Sequence, residues 1–435
     1  MVLGASMGGL LAARVLADFY ERVTVVERDE LRADAAHRRG VPQGRHFHTL
    51  LSRGAQALDG LFEGFTQDLV SAGAPRVELL RQARVVVNGH QLARARTGAD
   101  SIQLTRPMLE DAVRARVADL GVIKLLDGCD VVGLQAQRGR IIGARIVNRT
   151  TARPREEVLE ADLVVDATGR AGRTTRWLPE LGYLAPQEDR VTIDCAYTSR
   201  LLRLPDGALG ADRLVLVGPI PGRTRGFALA AQEGGRWMLT AVGMAGDHPP
   251  VADEGLLDFV KAAAPSDVYS ALREAEPQSD PQPHRYPASV WRRYEKLRGF
   301  PNGLLVFGDA ICSFNPIYGQ GMTVAAVEAE ALHRCLRAGD DRLAERFFPA
   351  AAKAIAPVWQ LNAGGDLALP EIPGRRPLAT RLINRYVARA QRVGADDLAV
   401  ATAFIRVGGL LDPPAAILAP RILRRVLRAK RWHRV

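Results

Sequence analysis

Four cysteines in 435 residues, Cys129, Cys195, Cys312 and Cys335, are scattered along the chain and form no CxxC pair. Neither a zinc cluster nor a disulfide framework is therefore indicated, and reduced thiols in a cytoplasm are the expectation. No run of 18 apolar residues occurs, which argues against a spanning helix. No secretory apolar stretch precedes the first strand, and that strand is short enough to leave room for residues missing upstream. Internal repeats and low-complexity segments are lacking too. The net charge of +11 comes without an aromatic platform or a nucleic-acid motif, so nucleic acid is not an expected partner.

The positive charge is uneven. Arg421, Arg424, Arg425, Arg428, Lys430, Arg431 and Arg434 lie in the last 15 residues with no acid among them, and Ile422, Leu423, Val426 and Leu427 recur at helical spacing. Residues 421–435 thus read as a basic amphipathic helix. Its sharp reading is a foot on an anionic membrane, making a cytoplasmic protein membrane-peripheral, or a docking site for an acidic carrier protein. Its plain reading, favoured because short basic tails are common, is a closing helix with a solvated face.

At the other end, Val2 and Leu3 finish a strand, and Gly4-x-Ser6-x-Gly8-Gly9 turns the chain into an Ala/Leu-rich helix. Gly4 permits a tight turn, Gly9 lets helix and strand pack closely, and the helix N-terminus presents free N–H groups to a pyrophosphate. A second strand, VTVVE, ends at Glu27, 23 residues after Gly4, where a carboxylate reaches adenosine ribose hydroxyls. Arg28 follows it. The middle glycine of GxGxxG is Ser6, whose hydroxyl can itself donate a hydrogen bond. Strand, glycines, helix, second strand and acid together predict a nucleotide site.

A second motif, FGDAICSFNPIYGQGM (307–322), says which nucleotide. Gly303 to Phe307 reads as a buried strand delivering Gly308 and Asp309 to its carboxyl edge, where Asp309 can accept from the hydroxyls of a sugar-alcohol chain. A flavin has such a chain and a nicotinamide lacks it. Pro316, Gly319 and Gly321 keep the backbone thin, and a helix from about Met322 points its N-terminus back at the site, favouring the negative charge of a reduced flavin by about 1 kcal/mol.

Together with GVPQGRHFHTL (40–50), LTRPMLE (104–110) and VVDATGR (164–170), these motifs resemble the FAD-dependent monooxygenases of the aromatic-hydroxylase superfamily. GVPQGRHFH and NPIYGQGM look most like flavin epoxidases of polyether and polyketide biosynthesis. The resemblance implies an α/β fold: a Rossmann-like FAD-binding domain of glutathione-reductase type (1–75, 105–180, 290–342), an inserted antiparallel-sheet substrate domain (76–104, 181–289) and a C-terminal helical part (343–435). It implies that Arg106 sits by the ribityl and phosphate region, with Thr168 and Gly169 in the ATG turn beside the cofactor. Pro316, Gly319, Gln320, Gly321 and Met322 would line the isoalloxazine, and Arg45 and His46 would border the flavin where its position can shift.

The chemistry so implied is reaction of reduced FAD with O2 to a C4a-hydroperoxide that passes one oxygen to a lipophilic substrate, the protein supplying a dry pocket and a fixed pose. Epoxidation of a polyketide or terpene alkene, which needs no protein base, is preferred. Ring hydroxylation, which a base assists, comes next, and no motif announces such a base. Relatives reduced directly by NADPH carry a DG pair followed by Ser after the ATG strand, whereas here Thr168-Gly169 is followed by Gly172. NAD(P)H and a separate flavin reductase both stay open as donors. A flavin halogenase would carry WxWxIP, and Trp177, Trp237, Trp291, Trp359 and Trp432 stand singly. A double-bond reductase of the geranylgeranyl-reductase type, and a flavin-loaded binding protein without catalysis, remain alternatives.

Along the rest of the chain, Asn88-Gly89 within RVVVNGHQLAR predicts a hairpin, and 106–120 and 251–275 read as helices. TIDCAYTSRLL and RWMLTAVG read as antiparallel strands of a substrate-facing sheet. His46 and His48 lack a third ligand for a metal, and none is expected. Trp291 among its arginines reads as packing.

Overall fold

In the computed structural model the described residues are 1–32, 37–151 and 153–429, so Lys430, Arg431 and Arg434 of the basic tail lie outside them. Short apolar runs build a five-stranded parallel sheet. Val2–Leu3 is central, between Val164–Asp166 and Val23–Val26, with Leu304–Val306 and Ile123–Leu126 at the two edges. Val2, Leu3, Val25, Val165 and Leu305 are fully buried, as strands covered on both faces must be. Because all run the same way, the sheet delivers Gly4, Glu27, Ala167 and Phe307 to one carboxyl edge, the edge at which open α/β sheets bind ligands. The helices Met7–Leu16 and Gly321–Arg337 start from that edge and pack on each other.

A nine-stranded sheet stands opposite. Its order runs Cys312–Ser313, Gln282–Arg292, Glu188–Arg203, Trp237–Gly243, Arg225–Ala231, Leu214–Val217, Ala83–Val87, His90–Gln91, with Glu276–Pro277 paired beside Glu188–Arg203. The turn at Asn88-Gly89 has φ of 49° and 77° and pairs Val87 with His90, the hairpin geometry that an Asn-Gly pair favours. In the long strand Glu188–Arg203 the register shifts between Thr192 and Cys195, with Asp194 at φ 40°, so the strand bulges beside the cavity. Leu256, Phe259, Val268 and Leu272 cover part of this sheet with Val215, Phe227 and Leu239. They come from two helices, Asp253–Lys261 and Ser266–Arg273, within the stretch 251–275 that reads as helical. Pro265, which cannot donate into a helix, caps the second.

The C-terminal part is helical, with Leu343–Asp366, Leu378–Val393, Leu398–Gly408 and Pro420–Arg428. In the last of these Ile422 and Val426 are buried against Ala390, Val393 and Val400, Arg425 pairs with Asp397 at 2.8 Å, and Arg389 donates to the carbonyls of Val426 and Leu427. Ile422 and Val426 thus face inward, while Leu427 is exposed along with Arg421, Arg424, Arg425 and Arg428. Among the described residues no helix is long and apolar enough to cross a membrane.

Candidate active site

The two cofactor motifs meet at glycines. Gly4 has φ 99°, and a Cβ built on it would lie 2.8 Å from the Ala167 carbonyl oxygen; one built on Gly9 would lie 1.8 Å from the Gly4 oxygen. Gly308, at φ 67°, brings its backbone to Gly8, whose Cα lies 3.8 Å from where a Cβ of residue 308 would stand. Any side chain at Gly4 or Gly9 would therefore push the helix tip off the strand.

Around that tip sits a charged cluster of which the sequence reading names only part. Arg106 donates to Glu110 at 2.8 Å and to the Ser6 hydroxyl at 2.9 Å, while Ser6 donates to Glu110 at 2.5 Å. Arg38 reaches Glu110 at 2.7 Å and Glu27 at 3.3 Å. Burial pushes the Glu110 carboxyl up, but the Arg106 and Arg38 guanidiniums and the Ser6 hydroxyl outweigh it and hold the group down to about 2. Glu110 thus faces both guanidiniums and Glu27 the second of them, so charge is balanced within the cluster, beside a helix tip that itself favours an anion. Glu27 accepts from the Ala5 and Asp29 amides at 2.7 and 3.0 Å, which fixes its carboxylate at the strand end. The sequence reading gives Arg38 and Glu110 no role, although the spacing of Arg106 and Glu110 is that of a helical ion pair.

Removing Glu110 leaves the buried Arg106 without its carboxylate and Arg38 with Glu27. Glu110→Ala is expected to lower stability by about 3–5 kcal/mol and to lose bound flavin, read by thermal unfolding and visible absorbance. A yellow variant that melts with the parent refutes this account of the cluster.

A cavity of about 1460 Å³ opens from the carboxyl edge to the nine-stranded sheet, more than the roughly 300–1,000 Å³ of a single-ligand pocket. Gly4, Ser6, Gly8, Glu27, Arg28 and Arg106 line it at one end, and Thr168, Gly169, Asp309, Pro316, Gly319, Gln320, Gly321 and Met322 line its middle. His46 lines it as well, next to the sheet residues Tyr197, Thr240 and His284. Gly9 and Gly308 lie behind the wall, supporting it. Arg45 lies off the wall: it is exposed, with its guanidinium 3.5 Å from Gln282. Asp309 is open to the cavity yet deep within it, and that depth pushes its carboxyl up against the lowering pull of Arg106, Arg170 and Arg292.

Two further carboxyls hold the segment 308–318 from behind. Glu328, fully enclosed in the second helix, accepts from the Gly308 amide at 2.9 Å, and burial raises it to about 8. Asp366 accepts from Asn315 at 2.8 Å and Tyr318 at 3.0 Å; burial raises it to about 6 against those two hydrogen bonds. A Cβ on Gly365 would lie 2.4 Å from the Tyr318 hydroxyl, so the Gly-Gly before Asp366 lets Tyr318 reach it. Trp291 is buried in the main core, with the Arg293 guanidinium 3.7 Å from its ring centre. Among the described residues no group of three His, Cys, Asp or Glu is arranged for a metal.

The residues fit FAD. The glycine cradle leaves backbone where a pyrophosphate needs close approach, Glu27 stands at the strand end, and Asp309 lies beyond the point where the two glycine motifs touch. Among solved structures, PqsL, a probable FAD-dependent monooxygenase from Pseudomonas aeruginosa, superposes with a TM-score of 0.62 at 17% identity, covering 93% of this chain and 98% of that one. The fold is thus one that FAD-dependent monooxygenases of known structure share. The chain is 39% identical over 433 residues to Protein Rv3254 of Mycobacterium tuberculosis, covering 95% of this chain and 89% of the relative, and it belongs to that protein's family. Kynurenine 3-monooxygenase of Salinispora tropica is a more distant relative, 26% identical over 79% of this chain and 73% of its own length. No family model matches the chain.

Proposed function

We propose that this protein uses FAD and O2 to insert one oxygen atom into an electron-rich unsaturated carbon of a lipophilic small molecule. The observation that carries the reading is the single cavity, which runs from the glycine cradle at Gly4 past Asp309 and the loop 316–322 to the nine-stranded sheet. When bound, FAD supplies the oxygen activation, with electrons from NAD(P)H or from a separate flavin reductase. The chain's part is to hold it: Gly4, Ser6, Gly8 and Gly9 at the pyrophosphate, Glu27 with Arg28 at the adenosine ribose, and Arg106 and Asp309 along the ribityl phosphate. Thr168 and Gly169 flank it, and Pro316, Gly319, Gln320, Gly321 and Met322 lie along the ring. In this assignment the parallel-sheet unit carries the cofactor and the nine-stranded sheet carries the substrate.

Two substrate readings follow. The likeness of GVPQGRHFH and NPIYGQGM to polyether and polyketide epoxidases favours an alkene. An aromatic ring is favoured by the kynurenine 3-monooxygenase relative and by PqsL, whose structure has been determined with 2-aminobenzoylacetate. The test supplies the yellow protein with NADPH or a flavin reductase, isotopically labelled O2, and either 1-naphthol or farnesol. One labelled oxygen in the organic product is expected. A product that gains hydrogen without label establishes a double-bond reductase instead, and protein that stays colourless in excess FAD removes the flavin reading altogether.

A further inference from the structure

His46 ends a hydroxyl chain with a defined direction. The Phe47 amide can only donate, and it does so to the Thr240 hydroxyl at 3.1 Å. Thr240 and Ser199 oxygens are 2.6 Å apart, and Ser199 is 2.8 Å from His46 Nδ1. If Nδ1 carried the hydrogen it would donate to Ser199, and one of the two hydroxyl hydrogens would have no acceptor among the described residues. With the order reversed, Thr240 donates to Ser199 and Ser199 donates to Nδ1, so both hydroxyl hydrogens are used and the one left over is on the ring. The ring hydrogen then sits on Nε2. Among the described residues that atom is buried without a partner, as is the Tyr197 hydroxyl on the neighbouring ring, 5.3 Å away between centres. A buried polar group left so costs about 1–3 kcal/mol, and two on adjoining rings of one cavity wall mark a place for a ligand atom.

We propose that His46 Nε2–H and the Tyr197 hydroxyl bind an acceptor oxygen of the substrate, which makes the substrate a phenol or conjugated carbonyl compound rather than a bare hydrocarbon alkene. The proposal rests on the monooxygenase reading of the same cavity. His284 stacks parallel to Tyr197 at 5.8 Å and lies 5.4 Å from His46, giving the oxygen-bearing end of a planar molecule an aromatic wall. Burial, with His284, His48, His37 and Arg45 around it, pushes His46 down to about 3, so its ring is neutral at ordinary pH and the fixed hydrogen on Nε2 is its means of recognition.

The test uses FAD-loaded protein and two probes of one shape, 2-naphthol and naphthalene, with affinity read by tryptophan or flavin fluorescence. Wild type is expected to favour 2-naphthol by about tenfold or more. His46→Phe should lose that preference, and His46→Gln, which keeps an amide donor, should restore part of it. Histidine ¹⁵N NMR, with the His46 signal assigned from the variants, should show the Nε2–H tautomer alone in wild type and a mixture in Ser199→Ala. Equal affinity for both probes, no binding of either, a preference surviving His46→Phe, or an Nδ1–H tautomer in wild type each overturn the proposal. Visible absorbance is read first. Colourless protein counts against the monooxygenase reading, while the tautomer is measured independently of it.

Discussion

Gly9→Ala is expected to give protein that binds no FAD and unfolds far more readily than the parent. The added methyl would sit 1.8 Å from the Gly4 oxygen and 2.8 Å from the Gly4 carbonyl carbon. Both are backbone atoms, so no side-chain rotation relieves the overlap. Gly4 cannot retreat, because it lies at φ 99° with the Ala167 carbonyl immediately behind it. The helix must therefore lift from the sheet. That exposes Leu10, Leu11 and Val15, now fully buried, and moves the N–H groups meant for the pyrophosphate. Overpacking of this kind costs about 1–3 kcal/mol in a yielding core and more where only backbone faces it. Gly8→Ala is the informative contrast. Its methyl would meet the Phe307 ring at 3.7 Å, an ordinary contact, while Gly8 also lines the cavity. That variant should melt with the parent when both lack cofactor, yet bind FAD more weakly. Calorimetry and flavin content measured on both variants separate the two roles, and a yellow Gly9→Ala protein of parental stability contradicts this account of the cradle.

The second large effect is on pH dependence. Glu328 has a folded pKa raised to about 8 by burial, from an ordinary value of 4.5. Below 4.5 folded and unfolded chains both hold the proton, and its contribution to stability is fully present. Between the two values the unfolded carboxyl ionises while the folded one does not, so stability falls steadily as pH rises and the loss is complete above the folded value. A shift of this size corresponds to on the order of 4 kcal/mol. Glu328→Gln keeps an acceptor for the Gly308 amide and cannot titrate. It should be increasingly more stable than wild type from pH 5 to about 8 and hold that lead above, the gap in melting temperature opening by several degrees. A constant gap across that range would show that Glu328 does not hold its proton. Glu110 acts with opposite sign: held down to about 2, it contributes above its ordinary value and loses that contribution in acid.

How much of this was legible depends on how local each feature is. The glycine turns, the acid at the end of VTVVE and the Asn-Gly hairpin are written in contiguous residues, because tight turns and helix starts are decided over four or five positions. The cavity wall is not. Tyr197, Thr240 and His284 come from three strands whose partners are set by sheet register, and alternation alone could not say which face they take. Glu328 carried a readable signal, since it occupies the position between Val324 and Leu332 on the apolar stripe of its helix, where a solvated acid has no place. Asp366 carried none beyond the glycine pair before it. Arg38 carried none either, because its carboxylate partners Glu27 and Glu110 are not its neighbours in sequence.

Strand Cys312–Ser313 pairs with Val290 and Trp291 at the edge of the nine-stranded sheet, yet it belongs to the segment that runs from Asp309 to the loop at Gly319. This ladder therefore ties the two halves of the molecule together, as does the one that pairs Thr49–Leu51 with Asp100–Gln103. A chimera that borrows the ligand-facing sheet of a homologue must bring a matching 312–313 with it, or the seam mismatches beneath the loop. Specificity in this family is thus expected to be inherited as a block rather than exchanged piece by piece.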